Sequence, residues 1–415
     1  MRRFGRRDFV KTVGATAAAA GLVAAPAVRR ADAQAKTIVF GGSVPLSGRA
    51  AETGLNVNNG YLMAIKYLNE EMGGVEIGGE KYKLELKMFD DASDPARATT
   101  LIQRQIDEGV DFFLGSFGSN IVLPTAAITE RAKRPMVQSG GGSDQIFTQG
   151  FKYVFGMFPR ASRQFISSVE FFKAMSPRPK SISVIFTNDA FSKTNAEGAA
   201  KDSKAAGFDV LEMYGLPEQI TDVSSVLASV RSKTPDVLIC TTHDQNSLLI
   251  SRQMVATNTN VPLLYQTLGP QLATYRETLG KFATGICVQI YWDERAPYKD
   301  KFFGTAQKFA EYYRKHVQRP IAYHTAGGAA CIVTYVQAMQ AAKSIKTEPV
   351  RDALAATDVD TLYGRVKFTP EGDGDAILLG PAVGQVQKGV VQLVHPAAAK
   401  TGTLIYPTPK WSEKT

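Results

Sequence analysis

Short β-branched runs alternate with longer amphipathic stretches along most of this chain, and they do so in two consecutive series. In the first, residues 37–40 read as a strand leading into the turn Pro45-Leu46-Ser47-Gly48. Leu62, Ile65, Leu68 and Met72 recur at steps of three and four, which predicts one face of a helix. Residues 84–89 alternate as a strand, and Asp94-Pro95 is a start signal for a helix carrying Ala98, Leu101, Ile102 and Ile106. Further short strands fall at 112–114 and 135–138. The second series follows Pro159, with strands at 181–186, 209–213, 237–240, 261–264 and 285–290. Helical stretches near 195–206, 223–231, 247–255 and 272–279 separate them. This is the pattern of an α/β protein with two doubly wound, parallel-sheet lobes. Helices near 302–315, 326–342 and 350–355 are too many for the end of one lobe, so the chain is expected to cross back. No low-complexity tether occurs, so the crossovers should be short. A chain of this length also exceeds one ordinary core.

The first 35 residues stand apart. Gly5-Arg6-Arg7-Asp8-Phe9-Val10-Lys11 resembles the twin-arginine export pattern S/T-R-R-x-F-L-K, departing at Gly5 and mildly at Val10. An apolar run from Val13 to Ala27 follows, then the small-x-small cleavage site Ala33-Gln34-Ala35. That run is about 15 residues, short for crossing a bilayer. Arg29 and Arg30 disfavour the general secretion channel. The expectation is export to the periplasm and a mature protein that begins near Lys36.

Charge supports this division. The chain carries 48 Lys and Arg against 39 Asp and Glu, net +9. Seven of those basic and two of the acidic residues precede Lys36, which leaves 41 against 37, or +4. Half of the positive charge is thus an export address, and nothing favours nucleic acid as a partner.

Motifs for catalysis are absent: no Gly-x-Ser-x-Gly, no phosphate loop ending Gly-Lys-Ser/Thr, no His-Glu-x-x-His. The expectation is a protein that is not an enzyme and needs no cofactor. His243, His316, His324 and His395 are scattered, and Cys240, Cys287 and Cys331 lack metal-ligand spacing. The cysteines read as buried thiols, with a Cys240–Cys287 bridge between neighbouring strands as the alternative. Glu371-Gly372-Asp373-Gly374-Asp375 lacks the final bidentate carboxylate of a calcium loop and reads as a hairpin turn. No metal site is expected.

In doubly wound sheets ligands gather at the carboxyl ends of the strands. Two loops there are small and hydroxyl-rich: Gly115-Ser116-Phe117-Gly118-Ser119-Asn120, and Ser139-Gly140-Gly141-Gly142-Ser143. Each offers backbone N–H groups and a hydroxyl at a helix start, features that hold a carboxylate without a cation.

With these loops, Pro45 to Gly48, Asp90-Asp91-Ala92-Ser93-Asp94-Pro95, Asp189-Ala190-Phe191-Ser192 and the closing Val383 to Gly389 complete a pattern. In order and spacing it resembles the leucine/isoleucine/valine-binding family of type I periplasmic solute-binding proteins that feed ABC importers. The resemblance covers nearly all of residues 36–395. It implies lobe one from 36–158 plus 292–381, lobe two from 159–291 plus 382–396, and a tail at 397–415. It further implies a monomer that closes like a hinge on a small carboxylate-bearing ligand and presents it to an inner-membrane permease. Carried over by position, Ser119 would donate to the ligand carboxylate. Gly141 and Gly142 would offer backbone groups, with Ser143 standing in for the hydroxyl that the family places at Gly142. Thr53 stands where branched-chain binders often have a tyrosine. His243, Asp244 and Gln245 occupy a lobe-two loop that usually contributes an aromatic residue.

Three departures bear on the ligand. Ser93 and Gly118 replace a family cysteine pair, a loss that export of a prefolded chain tolerates. Leu268 stands near the place of the carboxylate that pairs with an amino-acid ammonium. Gln266 and His243 add neutral hydrogen-bonding groups. A buried ammonium without a carboxylate is costly, so either Asp244 takes over or the ligand is not an α-amino acid. Phe117, Phe191, Tyr265 and Tyr291 lie within reach of the same cleft and would suit an aromatic or other amine-free acid. A branched-chain amino acid, an amide or urea-type ligand, and a sensing role are the alternatives.

Overall fold

The computed structural model describes residues 36–414; the export motif and cleavage site, in residues 1–35, lie outside the described residues. The first lobe is built on six strands, β1 (Lys36–Val44), β2 (Val75–Ile77), β3 (Glu80–Asp90), β4 (Phe112–Leu114), β5 (Met136–Gln138) and β6 (Val154–Gly156). Their order in the sheet is β2-β3-β1-β4-β5-β6. All neighbours run parallel except β2, which forms a hairpin with β3. Parallel neighbours need a crossover, supplied here by α1 (Ala51–Glu70), α2 (Pro95–Asp107), α3 (Ser119–Arg131) and the short α4 (Asp144–Phe147). β4 and β5 are buried on every residue, as strands covered by helices on both faces must be.

After α5 (Ile166–Ala174) the second lobe repeats the plan with β7 (Ser181–Thr187), α6 (Ala190–Ala205), β8 (Asp209–Leu216) and α7 (Ser224–Lys233). It continues through β9 (Val237–Thr241), α8 (Asp244–Ala256), β10 (Leu263–Gln266), α9 (Ala273–Leu279) and β11 (Cys287–Ile290). The chain then returns to lobe one. There it adds the ribbons β12 (Lys299–Asp300) with β13 (Gly304–Thr305) and β14 (Asp358–Thr361) with β15 (Gly364–Lys367). Helices α10 (Ala306–His316), α11 (Tyr323–Ala342) and α12 (Thr347–Ala355) belong to the same excursion. It crosses once more to place β16 (Ala382–Gln387) antiparallel to β11, with β17 (Val390–His395) beyond it. The second sheet is therefore β17-β16-β11-β10-β9-β7-β8.

The expected start of α2 is realised: Asp94 caps it by accepting from the N–H groups of Ala96 and Arg97. The face of α1 is shifted from the expected one. Leu62 and Met72 are 40% and 41% exposed, and the buried stripe is Val57, Tyr61, Ala64, Ile65 and Leu68. The cause is α11, which is buried almost all round and lies directly on α1. Two glycines permit that approach. A Cβ at Gly60 would stand 2.1 Å from the Thr325 carbonyl oxygen, and one at Gly328 would stand 2.5 Å from that of Val57.

The alternative of a Cys240–Cys287 bridge is overturned. β10 lies between the strands that carry the two residues, so they are separated by two strand spacings, roughly 10 Å, beyond disulfide reach. All three cysteines are buried and free. The turn at 371–375 anchors a crossover: the fully buried Asp373 pairs with Arg160 at 3.0 Å, and Glu371 pairs with it at 3.2 Å. Residues 397–414 strap lobe two, where the buried Trp411 donates its Nε1–H to the Thr259 carbonyl at 2.6 Å. Among the described residues no helix is long and apolar enough to cross a membrane, and no His, Cys, Asp and Glu cluster could hold a metal.

Candidate functional site

The carboxyl ends of β4 and β5 in lobe one face those of β7, β9 and β10 in lobe two, and the loops between them line a cleft. Asp91 pins the lobe-one loops by accepting from the hydroxyls of Ser43 at 3.0 Å and Ser116 at 2.6 Å. Gly118 adopts φ +97°, a value that favours glycine, and turns the chain directly into α3 at Ser119. The next loop folds onto side chains. Gln138 Oε1 accepts from Gly140 N–H at 2.9 Å and Gly141 N–H at 2.7 Å. Ser119 Oγ accepts from Gly142 N–H at 3.1 Å and Ser143 N–H at 3.0 Å.

These bonds correct the expected anion nest. The N–H groups of Gly140 to Ser143 are already engaged, so the loop offers no free cradle. What it does provide is orientation. With both lone pairs of Ser119 engaged, its hydroxyl proton is left to point elsewhere. α3 also starts without a side-chain cap.

The cleft has two compartments. Aromatic rings wall the inner one: Phe117, Phe158, Phe191, Tyr291 and Tyr323, with His243, His324 and Leu268. Ser119, Gly140, Gly142, Gln164, Thr267 and Gln289 supply its polar surface. No Lys, Arg, Asp or Glu lines it. The outer compartment is polar and charged, with Arg49, Asp189, Glu218, Asp244, Ser93 and Asn120 among its walls. Phe117 and His243 belong to both, their ring centroids 6.3 Å apart, and so form the partition.

Electrostatics hold that partition in place. His243 Nε2 lies 3.3 Å from Asp189 Oδ1. Burial opposes a charge on Asp189, but the hydrogen bond and charge of His243, with bonds from Ser192 and Thr187, outweigh it and hold the carboxyl below its ordinary range. Burial likewise opposes a charge on His243, yet bonding to Asp189 and the charges of Asp189 and Asp244 raise it above an ordinary histidine. Burial raises the Asp244 carboxyl, against bonds from Thr53 and Gln271.

Of the residues singled out in the sequence, the structure gathers Phe117, Ser119, Gly142, Phe191 and His243 in the inner compartment, together with Leu268 and Tyr291. Asp244 and Gln245 line only the outer one. Five others stand elsewhere. Gly141 turns toward Ile146 and Val122. Ser143 caps α4 and donates to the Ala190 carbonyl across the cleft at 3.1 Å. Gln266 is consumed in the lobe-two core by Ser247, Ser251 and Tyr275. Thr53 donates to Asp244 across the cleft at 2.9 Å. Tyr265 is also core, bonded to Ser168. The sequence reading missed Phe158, Gln164, Thr267, Gln289, Tyr323 and His324. Tyr323 and His324 open α11, which reaches the cleft only because the chain returns to lobe one.

The lobes are closed on each other. Gln245 Nε2 donates to the Arg49 carbonyl at 3.1 Å, Arg49 pairs with Glu218 at 3.3 Å, and Thr274 donates to Glu52 at 2.7 Å. Ser93, at a position of the missing cysteine pair, instead donates to the Ser47 carbonyl at 3.1 Å and accepts from Ala50 N–H at 3.1 Å.

Two mainly parallel sheets joined by three crossovers, with an aromatic-walled compartment between them, are the architecture of a two-lobed binding protein. The chain belongs to the periplasmic binding protein family, whose profile matches residues 37–387. Leu/Ile/Val-binding protein homolog 8 of Brucella abortus is 28% identical over 224 residues, covering 52% of this chain and 54% of the relative. The chain thus spans about half the length of that relative. Homolog 7 of Brucella melitensis is 24% identical over 405 residues, 94% of this chain and 97% of the relative. Among solved structures, the leucine-binding protein LivK of Thermotoga maritima has a TM-score of 0.75 at 22% identity, covering 86% of this chain and 97% of its own. An R. palustris solute-binding protein in complex with benzoate has a TM-score of 0.71 at 18% identity, covering 89% and 99%. LivJ of Streptococcus pneumoniae, in complex with isoleucine, has a TM-score of 0.73 at 18% identity, covering 86% and 98%. At these identities the likeness establishes the fold, which is that of substrate-binding proteins of branched-chain amino acid ABC transporters.

Proposed function

We propose that this chain is the periplasmic binding component of an ABC importer, exported by the twin-arginine route, and that it captures a small amine-free carboxylic acid with an aromatic or similarly flat apolar body. It binds and releases without chemistry, acts as a monomer, and hands its ligand to an inner-membrane permease. The observation that carries the ligand class is the inner compartment: aromatic walls, the Ser119 hydroxyl at the uncapped start of α3, and no carboxylate. An amino-acid ammonium there would lack an anionic partner and lose several kcal/mol of hydration. Leu268, 6% exposed, occupies that wall. In this reading Ser119 donates to the ligand carboxylate, Gly142 lies against it, and Phe117, Phe191 and Tyr291 enclose its body.

A branched-chain amino acid is the rival, favoured by the names of the Brucella relatives and the isoleucine bound to LivJ. It requires Asp244, which sits in the outer compartment bonded to Thr53 and Gln271. Thermal-shift screening separates the two. Stabilisation by benzoate and its ring-substituted analogues, without a response to leucine, isoleucine or valine, is expected. The reverse pattern refutes the amine-free reading. Loss of the amino-acid response in Asp244→Asn would then identify the partner.

A further inference from the structure

An acid in the inner compartment must rely on dipoles, because no Lys or Arg lines the wall and His243 is already paired with Asp189. Two helices begin there: α3 with Ser119, and α11 with Tyr323 and His324, neither with a side-chain cap. Uncapped first-turn N–H groups and the positive end of a helix favour an anion.

His324 is a second observation, independent of the helix starts. It is 2% exposed and lines the compartment, and its Nδ1 is buried with no hydrogen-bond partner among the described residues. Its ring stacks on Tyr323 at 3.9 Å and meets Phe117 edge-on at 5.2 Å, contacts that fix the plane of the ring without satisfying that nitrogen. Burial alone pushes the imidazole down to about 3, so it stays uncharged, with one N–H and one lone pair in need of partners. It shares the lining of the inner compartment with Ser119. His324 is three residues before Gly327 and so shares its face of α11, and a Cβ at Gly327 would sit 3.1 Å from that of Ser139. Ser139 begins the loop whose later N–H groups Ser119 holds.

We infer that His324 is a ligand-binding residue, hydrogen-bonding the carboxylate of the bound acid beside the Ser119 hydroxyl and favouring acids over their neutral amides. This rests on the reading of the cleft as an acid site. It holds whether the acid is aromatic or an amino acid, because both carry the carboxylate.

Calorimetry with benzoate and benzamide on the wild type, His324→Leu and His324→Gln tests it. A hydrogen bond to a charged acceptor predicts a loss of roughly tenfold to a hundredfold in benzoate affinity for His324→Leu. Benzamide should lose much less, and His324→Gln, which keeps an N–H donor, should recover part of the benzoate affinity. A purely structural histidine would weaken both ligands alike, so an unchanged benzoate-to-benzamide ratio in His324→Leu overturns the inference. If His324→Leu does not fold, nitrogen-15 histidine spectra of the wild type decide, since benzoate must move the His324 resonances and an absence of movement overturns the inference. A wild type that ignores benzoate but binds leucine contradicts the aromatic-acid reading alone, and leucine with leucinamide then takes the same test. Binding of neither overturns both.

Discussion

At the scale of single residues, the cleft separates charge from apolar surface through one histidine. His243 is held by Asp189 on its own lobe while its ring lies against Phe117 of the other, so its protonation bears on the wall between the compartments. The raised value on His243 contributes stability that is fully present below the ordinary histidine range and lost as pH rises through the raised value. The lowered value on Asp189 contributes stability present above the ordinary carboxylate range and lost as pH falls through the lowered one. The pair therefore contributes most at mildly acidic pH, between the ordinary carboxylate and the ordinary histidine values. Nitrogen-15 histidine spectra followed against pH should show His243 titrating above an ordinary histidine, and Asp189→Asn should bring it down. No change in Asp189→Asn would remove Asp189 as the cause. His324 should stay uncharged throughout, to well below pH 5, given its value of about 3.

At the scale of elements, α11 is the piece that completes the chamber. Its place depends on the glycine contact with α1, and Gly60→Ala puts a methyl group 2.1 Å from a backbone oxygen that no rotamer change can relieve. Overpacking of this kind costs about 1–3 kcal/mol. Denaturant unfolding should show that loss, and ligand affinity should fall with it because Tyr323 and His324 move with the helix. Unchanged stability and affinity would mean that the two helices can separate freely. The same element shows where sequence reading stops. Ser119, Phe117 and His243 were legible because each lies between the end of a strand and the first turn of the next helix, and the strand-end rule selects such loops without knowledge of the rest of the fold. Gln266 ends β10 and met the same rule, yet its amide turns inward to Ser251 and Tyr275, a side-chain choice that periodicity does not encode. Tyr323 and His324 follow no strand. They reach the site from just over 200 residues beyond Ser119, through packing of α11 on α1 that only the assembled lobe reveals.

At the scale of the molecule, closure of the lobes encloses the inner compartment. Bonds from Gln245, Arg49, Thr53 and Thr274 tie the lobes over a compartment that offers aromatic walls, a hydroxyl, two helix starts and no carboxylate. The chain belongs to the periplasmic binding protein family, and the proposed ligand class follows from the lining of the inner compartment. Native mass spectrometry of the protein purified from its own host without unfolding, with the released molecule identified, tests this most directly. One small amine-free organic acid per chain is expected, retained by the wild type and lost in Ser119→Ala. An amino acid in its place, or an acid retained undiminished by Ser119→Ala, would contradict it.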